Sequence, residues 1–349
     1  MKIGKFNSQV KNSLYVIAEI GVNHEGDVNL AKKLIKDAAE SGANAVKFQT
    51  YKAELLAAKD SPSYWDISKE STLSQYELFK KFDGFNETDY IYLKDYCAEL
   101  GIDFSSTPFD LESVDWLSKI VPFLKIASAD ITNFPLIRKV ASKNLPVILS
   151  TGAANIEEIR SAVDQLIQYG AGEICLMHCI LNYPTPLRNA NLNMIKDLIS
   201  NFPNCTIGYS DHTEPSDDFL VLTTAITLGA KIIEKHFTHN KNLSGNDHYH
   251  AMDMKDMKKF IEKANRLFEV LGKEPKNYIE SEEISRLNAR RSLHYRLNLN
   301  AGHYLQDKDF IALRPAVGIS PSEIDNFIGK KLKTDVKAME RLALHHFVQ

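Results

Sequence analysis

Charged and hydroxyl-bearing residues stand at or just beyond the ends of short apolar, β-branched runs along this chain. Lys47 and Lys125 combine two cations with the hydroxyls of Ser106, Thr107, Ser128, Ser150, Thr151 and Ser210. That combination holds a phosphate or a carboxylate by charge-assisted hydrogen bonds. His212 and His236 fall at equivalent places in two successive runs. Two imidazoles leave most of a divalent ion's coordination shell to water or substrate, which suits a Lewis acid. Glu19 and Glu234 bring carboxylates to the same run ends, and Asp130 and Asp247 follow two of them. Tyr183, in the turn YPTP, either lines such a site or packs its mouth. Asp211 either supports His212 or caps a helix. His248 and His250 read as ligands or as parts of a polar loop, and His345 and His346 as tail residues. A purely structural core has no need of charges at so many strand ends, because burying each without a partner costs on the order of several kcal/mol.

The elements that must position these residues alternate. Eight short runs, at 15–20, 45–48, 103–105, 123–126, 146–149, 174–177, 206–208 and 232–234, are separated by helix-periodic stretches. Several runs are continuously apolar, as parallel strands covered on both faces are. Leu30, Leu34, Ile35 and Ala38 recur at helical spacing after the first run, and Ile156, Ile159, Val163 and Ile167 after the fifth. Eight strand–helix units predict an α/β fold, a (β/α)8 TIM barrel, whose active site lies at the C-terminal ends of the strands. An open doubly wound sheet would favour GxGxxG after its first strand, and here that turn reads GVNHEG. The chain has 349 residues, about 100 more than a bare barrel needs. Part of the surplus is a polar, aromatic-rich segment over 50–85, placed to cover the barrel mouth. The rest follows residue 271. Residues 1–271 read as the barrel, 272–285 as a Gly/Pro-punctuated linker, and 286–349 as a small β-rich domain.

Composition narrows the partners. Lys plus Arg number 42 and Asp plus Glu 45, for a net charge of −3, so no broad basic field invites nucleic acid or an anionic membrane. No apolar run approaches the ~20 residues that span a bilayer, and the opening MKIGKFNSQVKNS lacks the apolar segment of a signal peptide. The four cysteines form no CxxC pair. A cytoplasmic protein is expected.

The ordered motifs AEIGVNHEG (18–26), VKFQT (46–50), SSTPFD (105–110), LKIASAD (124–130), ILSTG (148–152), MHC with YPTP (177–186), IGYSDHT (207–213), LGAKIIEKHFT (228–238) and GNDH (245–248) are present. So are ARRSL (289–293), LRPAVGISP (313–321) and IGKKL (328–332). Over nearly its whole length the chain resembles the sialic acid synthases, the family of nonulosonic acid synthases acting toward N-acetylneuraminate, legionaminate and pseudaminate. The resemblance implies a TIM barrel followed by an antifreeze-like SAF (β-clip) domain, in a domain-swapped homodimer. It implies a transferase that condenses phosphoenolpyruvate with the open-chain aldehyde of an N-acylated amino sugar such as N-acetylmannosamine. The products would be a nine-carbon 2-keto sugar acid and phosphate, with Mn2+ or Mg2+ as the divalent metal. By the same resemblance, His212 and His236 bind the metal. Lys47, Thr107, Lys125, Ser128, Ser150 and Ser210 contact phosphoenolpyruvate, with Asp130 in the substrate-binding set. Glu19, Tyr183 and Glu234 occupy catalytic or sugar-contacting places, Asp247 meets sugar hydroxyls, and Arg314 of a second copy reaches the N-acyl group.

This chain departs from the family's usual pattern at Leu181–Asn182, at Ser128-Ala129-Asp130, at Gly245-Asn246-Asp247 and at AMDM (251–254). These positions fall where substrates bind, so the acceptor stays open among N-acetylmannosamine and 2,4-diacetamido-6-deoxyhexoses. Two further readings compete. One is a condensation that yields a 3-deoxy sugar acid from an aldose phosphate, which would call for extra cations. The other is a non-enzymatic sugar- or ice-binding protein, which would not need the whole set of residues at the barrel mouth.

Overall fold

The computed structural model describes residues 1–65, 67–68, 70–245 and 247–347. The chain divides into two compact units, Met1–Leu271 and Gly272–Gln349. The first is a barrel. After a short hairpin, β1 (Lys2–Ile3) and β2 (Phe6–Asn7), come eight parallel strands: β3 (Tyr15–Gly21), β4 (Ala45–Thr50), β5 (Asp103–Pro108), β6 (Leu124–Ile126), β7 (Val147–Ser150), β8 (Ile174–His178), β9 (Thr206–Asp211) and β10 (Ile232–His236). Their order is β5-β4-β3-β10-β9-β8-β7-β6. At the seam between β5 and β6, Ser105 Oγ donates to the carbonyl of Phe123 at 3.3 Å. The strands run one to three residues further than the apolar pattern suggests at several C-terminal ends, because polar residues there face into the barrel and still keep their ladder bonds.

Strand periodicity of two sorts the side chains into two layers. Tyr15, Ile17, Ala45, Phe123, Ile148, Cys175, Met177 and Ile232 fill the barrel interior. Met1, Ile3 and Phe6 of the hairpin join them and plug the N-terminal end. Gly208 belongs to the same layer. A Cβ there would lie 2.7 Å from the Ile232 carbonyl and 3.2 Å from Met177 Cε, so glycine is what lets β9 and β10 pack around Met177. Residues of the opposite parity, such as Val16, Ala18, Val46, Phe104, Leu149, Leu176 and Ile233, meet the surrounding helices. Most of those helices are amphipathic, and several are capped by a side chain. Helix α1 (Val28–Ser41) starts on the Asp27 carboxylate, which accepts from Asn29 N, and ends at Gly42 in the left-handed region, with φ 91°.

Between β4 and α4 (Glu87–Leu100), the polar segment is not structureless. It carries α2 (Ala53–Leu56) and α3 (Gln75–Phe82). In the second unit, 3-10 residues Glu280–Glu282 lead into α5 (Glu283–Ala289). Strand β11 (Ser292–Tyr295) then pairs antiparallel with β12 (Phe310–Leu313). A small core of Leu293, Tyr295, Leu305, Phe310, Phe327, Leu332, Val336 and Leu342 lies under them.

Candidate active site

One step beyond the apolar interior layer, the inward-facing positions turn polar. Glu19, Lys47, Lys125, Ser210 and Glu234 continue the parity of Ile17, Ala45, Phe123, Gly208 and Ile232. They open into a cavity of about 460 Å3. Thr107, Ser128, Asp130, Ser150, Tyr183, His212 and His236 line the same cavity. Both lysines and both glutamates are almost completely buried. Lys47 Nζ lies 2.6 Å from Glu19 Oε2 and 3.8 Å from Glu234 Oε2, and donates to Thr107 Oγ1 at 2.9 Å. Lys125 Nζ donates to Ser150 Oγ at 2.6 Å and stands 4.0 Å from Glu234 Oε1. Ser210 Oγ donates to that oxygen at 2.9 Å, whereas Glu234 Oε2 accepts no hydrogen bond from the described residues.

The two glutamates sit in different fields. Burial pushes the Glu19 carboxyl up to about 7, opposed by Lys47 and reinforced by Glu234. Burial also raises Glu234, but Lys125 and Lys47 with the Ser210 hydrogen bond outweigh it, so that carboxyl lies below its ordinary range. Burial lowers Lys125, with Glu234 offsetting part of the effect. For Lys47 the same burial is outweighed by Glu19 and Glu234, and its ammonium is held above the ordinary range.

Ser128 Oγ accepts from Gly152 N at 2.9 Å and lies 3.0 Å from Cys179 Sγ. Asp130 Oδ1 accepts from Asn133 Nδ2 at 3.0 Å. Two hydroxyls grouped with these in sequence lie elsewhere. Ser106 bonds Thr50 Oγ1 at 2.6 Å, and Thr151 donates to the Met177 carbonyl at 3.0 Å. Asp211 neither supports His212 nor caps a helix; it is paired with buried Lys235 at 2.8 Å.

A second cavity, of about 490 Å3, adjoins the first and shares Gln49, Tyr64, Phe79, Tyr183 and His236 with it. Its remaining walls include Asp247, Glu25 and Glu70, and the apolar Leu78, Phe82 and Leu243. The segment between β4 and α4 therefore supplies walls to both cavities. At the boundary, Tyr183 packs on His212 with ring centroids 4.3 Å apart, and His212 and His236 are 5.6 Å apart. His212 Nδ1 donates to the Ile180 carbonyl at 2.8 Å, which fixes the tautomer and leaves Nε2 with its lone pair. Burial lowers His212 to about 4 and holds His236 and His250 well below their ordinary value, so all three rings are neutral near pH 7.

The group whose ligand atoms lie closest together is His236, Asp247 and His250, all within 4.8 Å of one another. This group could hold a metal ion, and the unbonded nitrogens of His236 and His250 fit that use. His212 stands beside it rather than in it. His250 is buried completely, on a loop tied down by the Tyr249 hydroxyl, which donates to the Tyr183 carbonyl at 2.8 Å. In the sequence it fits a ligand and a polar loop equally well, and the one signal that favours a ligand is its nearness to Asp247. Asn246 lies outside the described residues. Arg314 is exposed in the Gly272–Gln349 unit.

The fold and this site define an α/β barrel whose mouth carries buried lysines and hydroxyls on one side and a histidine–aspartate group on the other, followed by a small β-rich unit. Residues 34–276 match the NeuB family and residues 290–347 the SAF domain, and the chain belongs to the NeuB family. It is 40% identical to the N,N'-diacetyllegionaminic acid synthase of Legionella pneumophila, over 95% of this chain and 94% of that one. It is 32% identical to the N-acetylneuraminate-9-phosphate synthase of Drosophila melanogaster, over 95% of each. Among solved structures, it resembles the N-acetylneuraminic acid (sialic acid) synthetase of Leptospira borgpetersenii in complex with citrate. There the TM-score is 0.72 at 33% identity, covering 82% of this chain and 94% of that one. No described helix is long and apolar enough to cross a membrane.

Proposed function

We propose that this protein is a nonulosonic acid synthase that condenses phosphoenolpyruvate with the open-chain aldehyde of an N-acylated amino sugar. The observation that carries the reading is the meeting of two unlike cavities. One holds two buried lysines among hydroxyls, and the other is lined by Asp247 and His248, with His236 and Tyr183 in both. An anionic three-carbon donor and a polyhydroxylated aldehyde then face each other across one wall. Holding two reactants in this way supplies much of an enzyme's rate enhancement.

Lys47 and Lys125 hold the donor's phosphate and carboxylate, with Thr107, Ser128, Ser150 and Ser210 as hydroxyl partners. The enol carbon C3 bonds to the aldehyde carbon, and the aldehyde oxygen takes up a proton. Water adds at C2, and the tetrahedral centre expels phosphate by C–O cleavage, leaving the 2-keto acid. Glu19, with its carboxyl poised near neutrality, takes the proton of that water. Glu234, held ionised by the lysines, steadies positive charge developing at C2. A bound divalent ion, Mn2+ or Mg2+ in this reading, supplies Lewis-acid polarisation of the aldehyde. His212 and His236 are the histidines assigned to it, and Asp247 the carboxylate facing the sugar. Tyr183 closes the boundary between the cavities.

Two acceptor classes compete. N-acetylmannosamine leads to N-acetylneuraminate, and a diacetamido sugar leads to the legionaminate class. The higher identity to diacetyllegionaminic acid synthases, 40% and 38%, and the apolar walls Leu78, Phe79, Phe82 and Leu243 favour the second. Arg314 is assigned to the acyl group from a second copy, in a swapped homodimer. A solution mass of 39.4 kDa rather than twice that value overturns this assignment.

The test is phosphate release from phosphoenolpyruvate with Mn2+ and a panel of both acceptor classes, with the product's mass read in parallel. Release with N-acetylmannosamine alone supports the neuraminate reading, and release with the diacetamido sugar alone supports the legionaminate one. If no amino sugar on the panel yields phosphate, the synthase reading fails.

A further inference from the structure

His250 is completely buried, and neither of its ring nitrogens has a hydrogen-bond partner among the described residues. Buried polar groups are nearly always paired, so each exception calls for an explanation. Three neighbours supply one. His236 lies with its ring centroid 4.7 Å away, at 65° to that of His250. Asp247 offers one carboxylate oxygen to each ring: Oδ2 is 3.9 Å from His236 Nδ1, and Oδ1 is 4.0 Å from His250 Nε2. His236 Nδ1 is likewise buried without a partner. His212 completes a set of three imidazoles, 6.4 Å from His250 by centroid.

The loop that carries His250 is held in register. Met252 N donates to the His236 carbonyl at 2.8 Å and Thr238 N to the Met252 carbonyl at 2.9 Å, a short parallel bridge that continues β10. Asn23 Nδ2 donates to the Phe237 carbonyl at 3.0 Å. His248, two residues earlier, is engaged differently, with Thr238 Oγ1 at 2.8 Å and Glu25 at 3.4 Å. The backbone thus fixes His250, not His248, against His236 and Asp247.

We propose that His250 is a metal ligand, forming with His236 and Asp247 a two-histidine, one-carboxylate centre beside His212. This extends the metal-dependent reading of the site and rests on it, but it is independent of which acceptor is used. Nitrogen donors favour Zn2+, Co2+ and Fe2+, whereas an oxygen-rich set favours Mg2+. The centre therefore takes a first-row ion in preference to Mg2+, and Asp247 lends it one carboxylate oxygen.

The test uses the full-length protein, freed of metal by a chelator and dialysed, and titrated with Co2+ while its visible d–d absorption is followed. Competition with Zn2+ and Mg2+ ranks the ions. One Co2+ per chain is expected, displaced by Zn2+ and not by a hundredfold excess of Mg2+. His250→Gln should weaken Co2+ binding at least tenfold and shift the bands, while His345→Gln, in the other unit, should leave both unchanged. Equal affinity and equal bands in His250→Gln overturn the proposal. Should that variant fail to fold, anomalous scattering from Zn2+-soaked crystals of the unaltered protein decides. A Zn2+ peak about 2.1 Å from a His250 nitrogen supports the proposal, and a peak that touches only His212 and His236 refutes it. Phosphate release is measured separately. Release together with His250-independent binding sinks this inference and spares the synthase reading; His250-dependent binding without release does the reverse.

Discussion

Two sets of buried lysines and carboxylates lie back to back on neighbouring strands, and they differ in how fully their charges are satisfied. Lys235 and Asp211 are register partners on β10 and β9, on the side of the strands that faces away from the cavity. Lys235 Nζ lies 2.8 Å from Asp211 Oδ2 and also donates to the Thr213 carbonyl. Asp211 accepts in addition from the Tyr209 hydroxyl at 3.0 Å and from the backbone and hydroxyl of Thr213 at 3.0 and 3.1 Å. One residue away along each strand, Glu234 and Ser210 face inward. There the nearest ammonium groups stand 3.8 and 4.0 Å from Glu234, and its Oε2 is unbonded among the described residues. The closed pair needs nothing more and is structural. The open set has unsatisfied capacity and faces space, which is the condition for binding a substrate.

Exchanging the readouts of the two sets gives the largest expected effects. Lys235→Met leaves Asp211 buried and uncompensated, and should cost about 3–5 kcal/mol of stability, measured as a lower midpoint in urea unfolding. Lys125→Met removes a substrate anchor and should lower kcat/KM for phosphate release about a thousandfold, or ~4 kcal/mol, with the urea midpoint little changed. If Lys125→Met unfolds the protein as readily as Lys235→Met does, the distinction between closed and open sets collapses.

A medium effect concerns pH. The Glu19 carboxyl, raised to about 7 mainly by burial, is protonated below that value and cannot accept a proton there. The phosphate-release rate should therefore rise as pH increases through about 7. Glu19→Gln should abolish this limb and slow the reaction about a hundredfold; a limb that survives the substitution assigns the base elsewhere. The smallest effect is expected at Ser210→Ala. It removes one hydrogen bond to Glu234, worth about 1 kcal/mol, so kcat/KM should fall less than tenfold. A larger loss would mean that Ser210 holds the substrate more strongly than it holds Glu234.

The comparison also explains what could be read in the sequence. Lys47, Lys125, His212 and His236 stood out because parallel barrel strands put their C-terminal ends at one mouth, and charges there are visible as punctuation of apolar runs. Ser106, Thr151 and Asp211 punctuate the same runs but point to the helices or bond locally. One step in a two-residue period reverses the face, and the run ends were too short to fix that phase. The N-terminal hairpin that plugs the barrel with Met1, Ile3 and Phe6 has only two-residue strands, too brief for a periodic signal. Helices α2 and α3 were hidden in a segment whose polarity suggests a loop.

By itself, the sequence determined the alternation of strands and helices, the barrel that follows from it, the change of texture after residue 286 and the types of residue gathered at the mouth. These depend on periodicity and local propensity, which act over neighbouring residues. Only the tertiary structure decided the rest. It separated Glu19 from Glu234, because their difference comes from lysines contributed by other strands. It closed Lys235 on Asp211. It brought His250 against His236 and Asp247, because a loop's course is set by long-range contacts such as Tyr249 to Tyr183 and Met252 to His236.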